Sequence, residues 1–257
     1  MSNLFDLTGK TCLLTGASKG IGKSMALALA RHGGTLIISS RKINVLKQTA
    51  EEINETIGEE RVFPIAANSG RKDELENLVN EARRLSGKID VLVCNAGVNP
   101  HYGPMSDISD EAYDKTMATN VKSNHWLCQM VAPDMVERGG GSIMITSSVG
   151  AFEPSLYLGT YAISKLAVLG LVRNLAAEYG PQNIRVNAIC PAIIKTDFAK
   201  ALWEDDTKAQ EAISKIPLGR LGEPEDLKGL AVFLASNASS YITGQAMTVC
   251  GGGYMWR

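Results

Sequence analysis

The sequence predicts an α/β fold, a doubly wound parallel sheet with helices on both faces. Three observations carry this. Short apolar runs alternate with helical patterns about 10–15 residues long, the signature of strands joined by crossover helices. The first apolar run leads straight into a glycine-rich turn that opens a helix. At 257 residues and 45% hydrophobic content, with no linker, repeat or low-complexity segment, the chain reads as one domain over 1–257.

The elements follow in order. Thr11–Thr15 (TCLLT) is a buried strand, and Gly16-Ala-Ser18-Lys19-Gly20-Ile21-Gly22 is the turn into a helix with Met25, Leu27 and Leu29 on its apolar side. Gly16 permits the tight turn, while Gly20 and Gly22 let helix N-terminal amides approach a pyrophosphate. The second strand, 35–39, ends in Ser40-Arg41-Lys42. An acidic residue here would accept hydrogen bonds from a ribose 2′-hydroxyl; serine and two cations suit a 2′-phosphate instead, which Arg41 can bind bidentately. Lys19 is expected to add charge nearby. NADP(H) is therefore expected over NAD(H). Helices at 44–54 and 73–85 and strands at 61–67 and 89–94 continue the alternation. Ligands in such sheets sit at the carboxyl ends of the strands, which places Asn68 and Asn95-Ala96-Gly97 on the cofactor's side.

In the second half, 110–136 reads as one long helix carrying Asn120, with Pro133 bending or ending its last turn. A strand at 142–146 ends at Ser147-Ser148. A helix then carries Tyr161 and runs to Tyr179, where Gly180-Pro181 stops it. A strand at 184–189 precedes Cys190-Pro191; a loop holding Ile194 and Thr196 leads to Phe198, Leu202 and Trp203. A helix at 225–234 and a strand at 246–249 complete the chain. The whole is a single-domain Rossmann-type arrangement.

Bulk properties exclude several classes. Formal net charge is −1, so neither nucleic acid nor an anionic membrane is indicated as a partner. Five scattered cysteines without CxxC spacing fit reduced thiols in the cytoplasm and no metal site. The first residues lack a secretory signal, and no run approaches ~20 apolar residues.

Tyr161 and Lys165 are four residues apart, so on a helix they share one face. A nearby cation favours the phenolate and makes Tyr161 a candidate acid/base. Free tyrosine titrates near ~10 and each unit is ~1.4 kcal/mol, so half-ionisation at neutral pH needs about 4 kcal/mol. One exposed lysine falls short of that; more positive charge is required nearby.

Taken together, TGASKGIG, NAG, Asn120, Ser148 and YAISK stand in an order and spacing that resembles the short-chain dehydrogenase/reductase family over essentially the whole chain. The segments AGVNP, IKTDF, GRLGEPED and SYITGQ are most similar to its NADPH-dependent carbonyl reductases of the member-four type. The resemblance implies Tyr161 as general acid/base, Lys165 as the residue lowering its pKa and binding ribose, Ser148 as the group polarising the substrate carbonyl, and Asn120 as anchor of a relay water. It favours Ser148 over Ser147. It also implies nicotinamide contacts from Pro191, Ile194 and Thr196, although Ala192 stands where the family has glycine, and an adenine contact from Asn68 in place of aspartate. A homotetramer or homodimer is implied, with Tyr254 and Trp256 in the contact.

The loops 99–105, 151–157 and 198–203 hold His101, Tyr102, Phe152, Tyr157, Phe198 and Trp203, an aromatic lining for a small apolar carbonyl or alcohol substrate. The expected function is NADPH-dependent reduction of a ketone or aldehyde. Alternatives are a 3-oxoacyl thioester reductase, an NAD-dependent alcohol dehydrogenase, or a cofactor-binding protein without turnover.

Overall fold

The computed structural model describes residues 3–255. Seven strands form one parallel sheet: β1 Thr11–Thr15, β2 Thr35–Ser40, β3 Val62–Ala66, β4 Val91–Cys94, β5 Gly141–Thr146, β6 Ile184–Pro191 and β7 Ala246–Val249. Their order is β3-β2-β1-β4-β5-β6-β7. The order reverses between β1 and β4, and a crevice opens there at the carboxyl ends of the strands.

Strands β1 and β4, at the middle of the sheet, are buried at every position because both faces are covered. Alternation then sends neighbours to opposite layers. Cys12 and Leu14 of β1 join Leu36, Ile38, Val91, Val93 and Met144 in one core; Leu13 joins Ile37, Leu92, Ile143 and Ile145 in the other. Helices α1 Gly20–Arg31, α2 Ile43–Ile57 and α8 Lys228–Ala235 pack on the first layer. Helices α3 Lys72–Ser86, α5 Ser123–Glu137 and α6 Gly159–Tyr179 pack on the second. Pro64 lies in β3, an edge strand, where its missing N–H breaks no interior ladder.

The helix expected over 110–136 is broken. α4 Asp110–Met117 passes into a π turn, Ala118–Lys122, before α5 begins. Such turns commonly interrupt helices at functional positions, and Asn120 sits within this one. Pro133 does not end α5, which continues to Glu137. Arg83 takes up the Met130 carbonyl at 2.6 Å near the interruption and also pairs with Asp134. The helix expected over 225–234 begins instead as a 3-10 turn, Pro224–Leu227. A short helix, α7 Asp206–Ser214, was not foreseen; its Asp205 caps the Lys208 amide. Among the described residues no helix is long and apolar enough to cross a membrane.

Candidate active site

The glycine turn after β1 fits a dinucleotide on two counts. Gly16 (φ 68°) and Gly20 (φ 57°) hold backbone conformations that side chains resist. A Cβ on Gly16 would lie 2.8 Å from the Ala96 Cα, and one on Gly22 would lie 2.7 Å from Asn95 Nδ2, so the turn is as closely set as backbone allows. α1 then starts at Gly20 with no side-chain cap and no acidic residue in its first turn, leaving amides and a positive helix end for an anion. Ser18 contributes its carbonyl to Thr49 Oγ1 at 2.8 Å, fastening the turn to α2. Ile21 packs against the core beneath it.

At the end of β2 the buried Ser40 hydroxyl has no hydrogen-bond partner. A buried orphan oxygen is costly, and a ligand hydroxyl or phosphate would satisfy it. Arg41 beside it is exposed and forms no ion pair among the described residues. Lys19, in the glycine turn, is paired with Asp197 at 2.5 Å, which holds that carboxyl below the usual carboxylate range. Asn68 Oδ1 accepts from the Gly70 amide at 3.1 Å and shapes the loop after β3.

Asn95 braces the crevice rather than reaching into it. Its Nδ2 donates to the Gly16 carbonyl at 3.1 Å, and its Oδ1 accepts from Thr146 at 3.2 Å. The Ala96 amide donates to Thr15 Oγ1. Gly97 faces Asn120 and Lys165: a Cβ there would stand 3.5 Å from both Asn120 Oδ1 and Lys165 Nζ.

Asn120 is fully buried and locked. Its Oδ1 accepts from the Val98 amide at 2.8 Å; its Nδ2 donates to the Val98 carbonyl at 2.9 Å and to Ser164 Oγ at 3.0 Å. Both amide hydrogens are thus engaged, so a relay water meets only oxygen lone pairs here. The backbone carbonyl already accepts from Asn124 at 2.7 Å.

The two serines after β5 separate cleanly. Ser147 is buried and donates to the Lys165 carbonyl at 2.8 Å, which makes it a structural tie to α6. Ser148 Oγ accepts from the Gly150 amide at 3.1 Å and is near enough to the Tyr161 phenol to favour its ionised form. Lys165 Nζ donates to the Thr146 carbonyl at 2.8 Å and lies 5.4 Å from the centroid of the Tyr161 ring. Burial pushes the Tyr161 phenol up to about 12, against the pull of Ser148, and pulls the Lys165 ammonium down to about 8. In the chain alone the lysine does not generate a phenolate. Cys190, at the end of β6, is fully buried beside this pair, and burial raises its thiol to about 11, so it stays protonated.

At the end of β6, Pro191 is buried in register with Val249, and the next residue, Ala192, donates its amide to the Val249 carbonyl without adopting a positive φ. Alanine therefore fits where a glycine was expected. Ile194 is buried and bridges to Gly222. Thr196 caps a 3-10 turn, Asp197–Leu202, that forms a lid. Phe198 of this lid is exposed, with its ring 6.1 Å from that of Tyr161. Trp203, expected to face substrate, instead donates its indole N–H to the Thr196 carbonyl at 3.0 Å. His101 donates to the Pro104 carbonyl at 2.9 Å, holding its own loop. Tyr102 stacks on Tyr157 at 5.5 Å, so the loops 99–105 and 151–157 meet as one wall. Tyr254 stacks on Phe152 of its own chain at 4.7 Å; Trp256 lies outside the described residues.

A phosphate-ready glycine turn at a sheet crossover, with a Ser/Tyr/Lys cluster two strands along the sheet, defines a dinucleotide-dependent oxidoreductase. Comparison with known proteins agrees. The family model described as Enoyl-(Acyl carrier protein) reductase matches residues 16–254. Dehydrogenase/reductase SDR family member 4 of Oryctolagus cuniculus is 42% identical over 247 residues, 96% of this chain and 94% of the rabbit protein. A 7 alpha-hydroxysteroid dehydrogenase solved with NADH and 7-oxo glycochenodeoxycholic acid superposes with a TM-score of 0.93 at 35% identity, covering 100% of this chain and 99% of that one. A gluconate 5-dehydrogenase from Burkholderia cenocepacia, in complex with NADP and tartrate, gives 0.91 at 28% identity, covering 97% and 96%. The chain belongs to the short-chain dehydrogenase/reductase family and is an NAD(P)-dependent oxidoreductase.

Proposed function

We propose that this enzyme reduces apolar ketones or aldehydes with NADPH, and that Tyr161 delivers the proton. The observation that carries the reading is the Ser148–Tyr161–Lys165 cluster beneath Phe198. When bound, the nicotinamide supplies the hydride and, once oxidised, a positive charge beside the phenol. Because the Gly150 amide fixes the Ser148 oxygen, the hydroxyl proton is free to point at a carbonyl oxygen, where negative charge develops. Tyr161, kept neutral by burial, is an acid across the neutral range and protonates that oxygen. Lys165 stabilises the phenolate left behind and sits where a ribose hydroxyl would be within reach.

NADPH is favoured by the orphan Ser40 hydroxyl and the unpaired Arg41 at the end of β2, where no carboxylate stands to repel a 2′-phosphate. The two solved relatives hold NADH and NADP respectively, so the preference rests on this chain's own residues. The Tyr102–Tyr157 wall, Phe152 and Phe198 favour an apolar substrate, and these loops hold no basic cluster for a phosphate-bearing carrier. Exposed Ile163 and Leu166 on α6 offer an apolar face for a second copy of the chain. Five unpaired thiols suit the cytoplasm.

A panel of apolar ketones, aldehydes and 3-oxoacyl thioesters, scored by NADPH and NADH oxidation, tests this. Turnover of simple apolar carbonyls with a higher kcat/KM for NADPH is expected. Turnover of thioesters alone, or a preference for NADH, would overturn it.

A further inference from the structure

One ion pair fastens the lid to the glycine turn. Lys19 and Asp197 meet across 178 residues of sequence, and the same crossing sets the Thr196 methyl against the turn, 3.0 Å from where a Cβ on Gly20 would be. The lid is tied together internally, because Thr196 Oγ1 accepts from the Ala199 amide and Trp203 donates to the Thr196 carbonyl. Phe198, the next residue after Asp197, faces the Tyr161 ring. A contact at the mouth of the phosphate groove and a contact over the phenol therefore belong to one hydrogen-bonded turn.

We propose that Asp197 is a positioning residue: paired with Lys19 it clasps the lid across the dinucleotide groove, slows release of the dinucleotide, and keeps Phe198 seated over Tyr161. This rests on the dinucleotide-binding reading of the glycine turn. The two side chains are 65% and 69% exposed. An exposed pair of this kind shifts an equilibrium by about two- to fivefold. It is also open to screening, since the Debye length shrinks from about 10 Å at 0.1 M salt to about 3 Å at 1 M.

The test is stopped-flow release of NADPH from the full-length wild type, Asp197→Asn and Asp197→Glu, at low and high salt. Tryptophan emission, which includes Trp203, checks that each variant keeps its lid folded. At low salt Asp197→Asn should release NADPH about two- to fivefold faster than wild type, and Asp197→Glu should restore the slow rate. Salt should speed the wild type by a larger factor than the Asn variant and so close the gap between them, since screening of the 2′-phosphate at Arg41 is common to both. Equal release rates in all three proteins would overturn the clasp, as would an equal salt effect in the Asn variant. Slower release from Asp197→Asn would also overturn it, showing that Asp197 merely withholds Lys19 from the phosphates. Wild type that binds neither NADPH nor NADH would overturn the parent reading and the clasp with it; normal binding with equal release rates strikes the clasp alone.

Discussion

Lys165 Nζ lies 5.4 Å from the centroid of the Tyr161 ring, while its hydrogen bond goes to the Thr146 carbonyl at 2.8 Å. The ammonium is held against the phenol's face rather than bonded to its oxygen. Burial disfavours charge on both groups, so the folded chain alone presents a neutral acid with a weakened cation beneath it. That state suits carbonyl reduction. Alcohol oxidation needs the phenolate, and so depends on positive charge arriving with the oxidised dinucleotide.

Burying Lys165 has a stability cost with a defined pH window. Its pKa falls from 10.5 to about 8 on folding. Between those values the unfolded chain binds the extra proton, so stability rises with pH across that interval, and the cost is fully present below about 8. The gap corresponds to roughly 3 kcal/mol. Lys165→Met should therefore raise the thermal midpoint of the dinucleotide-free protein at pH 7 by several degrees while abolishing turnover. The advantage should shrink towards pH 10.5. Scanning calorimetry across that range checks it; equal midpoints at pH 7 would contradict it.

Arg41→Asp should reverse the dinucleotide preference. A carboxylate next to Ser40 repels a 2′-phosphate and accepts hydrogen bonds from a 2′-hydroxyl. The NADPH/NADH ratio of kcat/KM should fall by at least about tenfold, the scale of one lost charge-assisted bond. An unchanged ratio would remove Arg41 from the site.

Asn120→Ala should destabilise the fold as well as impair activity. It would leave the Val98 amide and carbonyl with unmet partners in the interior and remove one of the two hydrogen bonds of Ser164 Oγ, which keeps its bond to the Tyr161 carbonyl. A loss of about 2–4 kcal/mol in urea unfolding is expected from such orphaned groups. An activity loss without a stability loss would show that the network is not structural.

At the amino end of the central strands, Asp134 accepts from Arg83 and from the Ile89 amide while only 6% exposed. Asp134→Ala should cost about 3–5 kcal/mol, because it strands a partly buried guanidinium. The kcat per folded molecule should stay unchanged, since β4 separates Ile89 from Asn95. A fall in kcat measured on fully folded protein would contradict that separation.

Much of this was legible in the sequence because it depended on local pattern. The strands at Thr11–Thr15 and Ala246–Val249 lie where apolar runs meet turn residues, and the glycine turn reads directly from its spacing. Side-chain partnerships across the fold were not legible. Nothing near Lys19 announces Asp197, and nothing near Trp203 announces the Thr196 carbonyl, because those contacts depend on how the lid crosses the groove. The π turn at Asn120 was invisible for a related reason. Its residues are helix-compatible, and the extra residue in the turn is stabilised by Val98 and Ser164, which lie distant in sequence. Burial likewise decides the sign of the Tyr161 shift, which four-residue spacing to a lysine cannot report.

The most direct test of the account is Tyr161→Phe, compared with wild type for NADPH binding and for turnover of an apolar ketone. Removing one hydroxyl keeps the ring beneath Phe198 and the Lys165 contact, so NADPH affinity should stay within about twofold, while kcat should fall by about 10²–10⁴, the scale of general-acid catalysis. A variant that retains NADPH binding and a kcat within tenfold of wild type would contradict the central claim that Tyr161 delivers the proton.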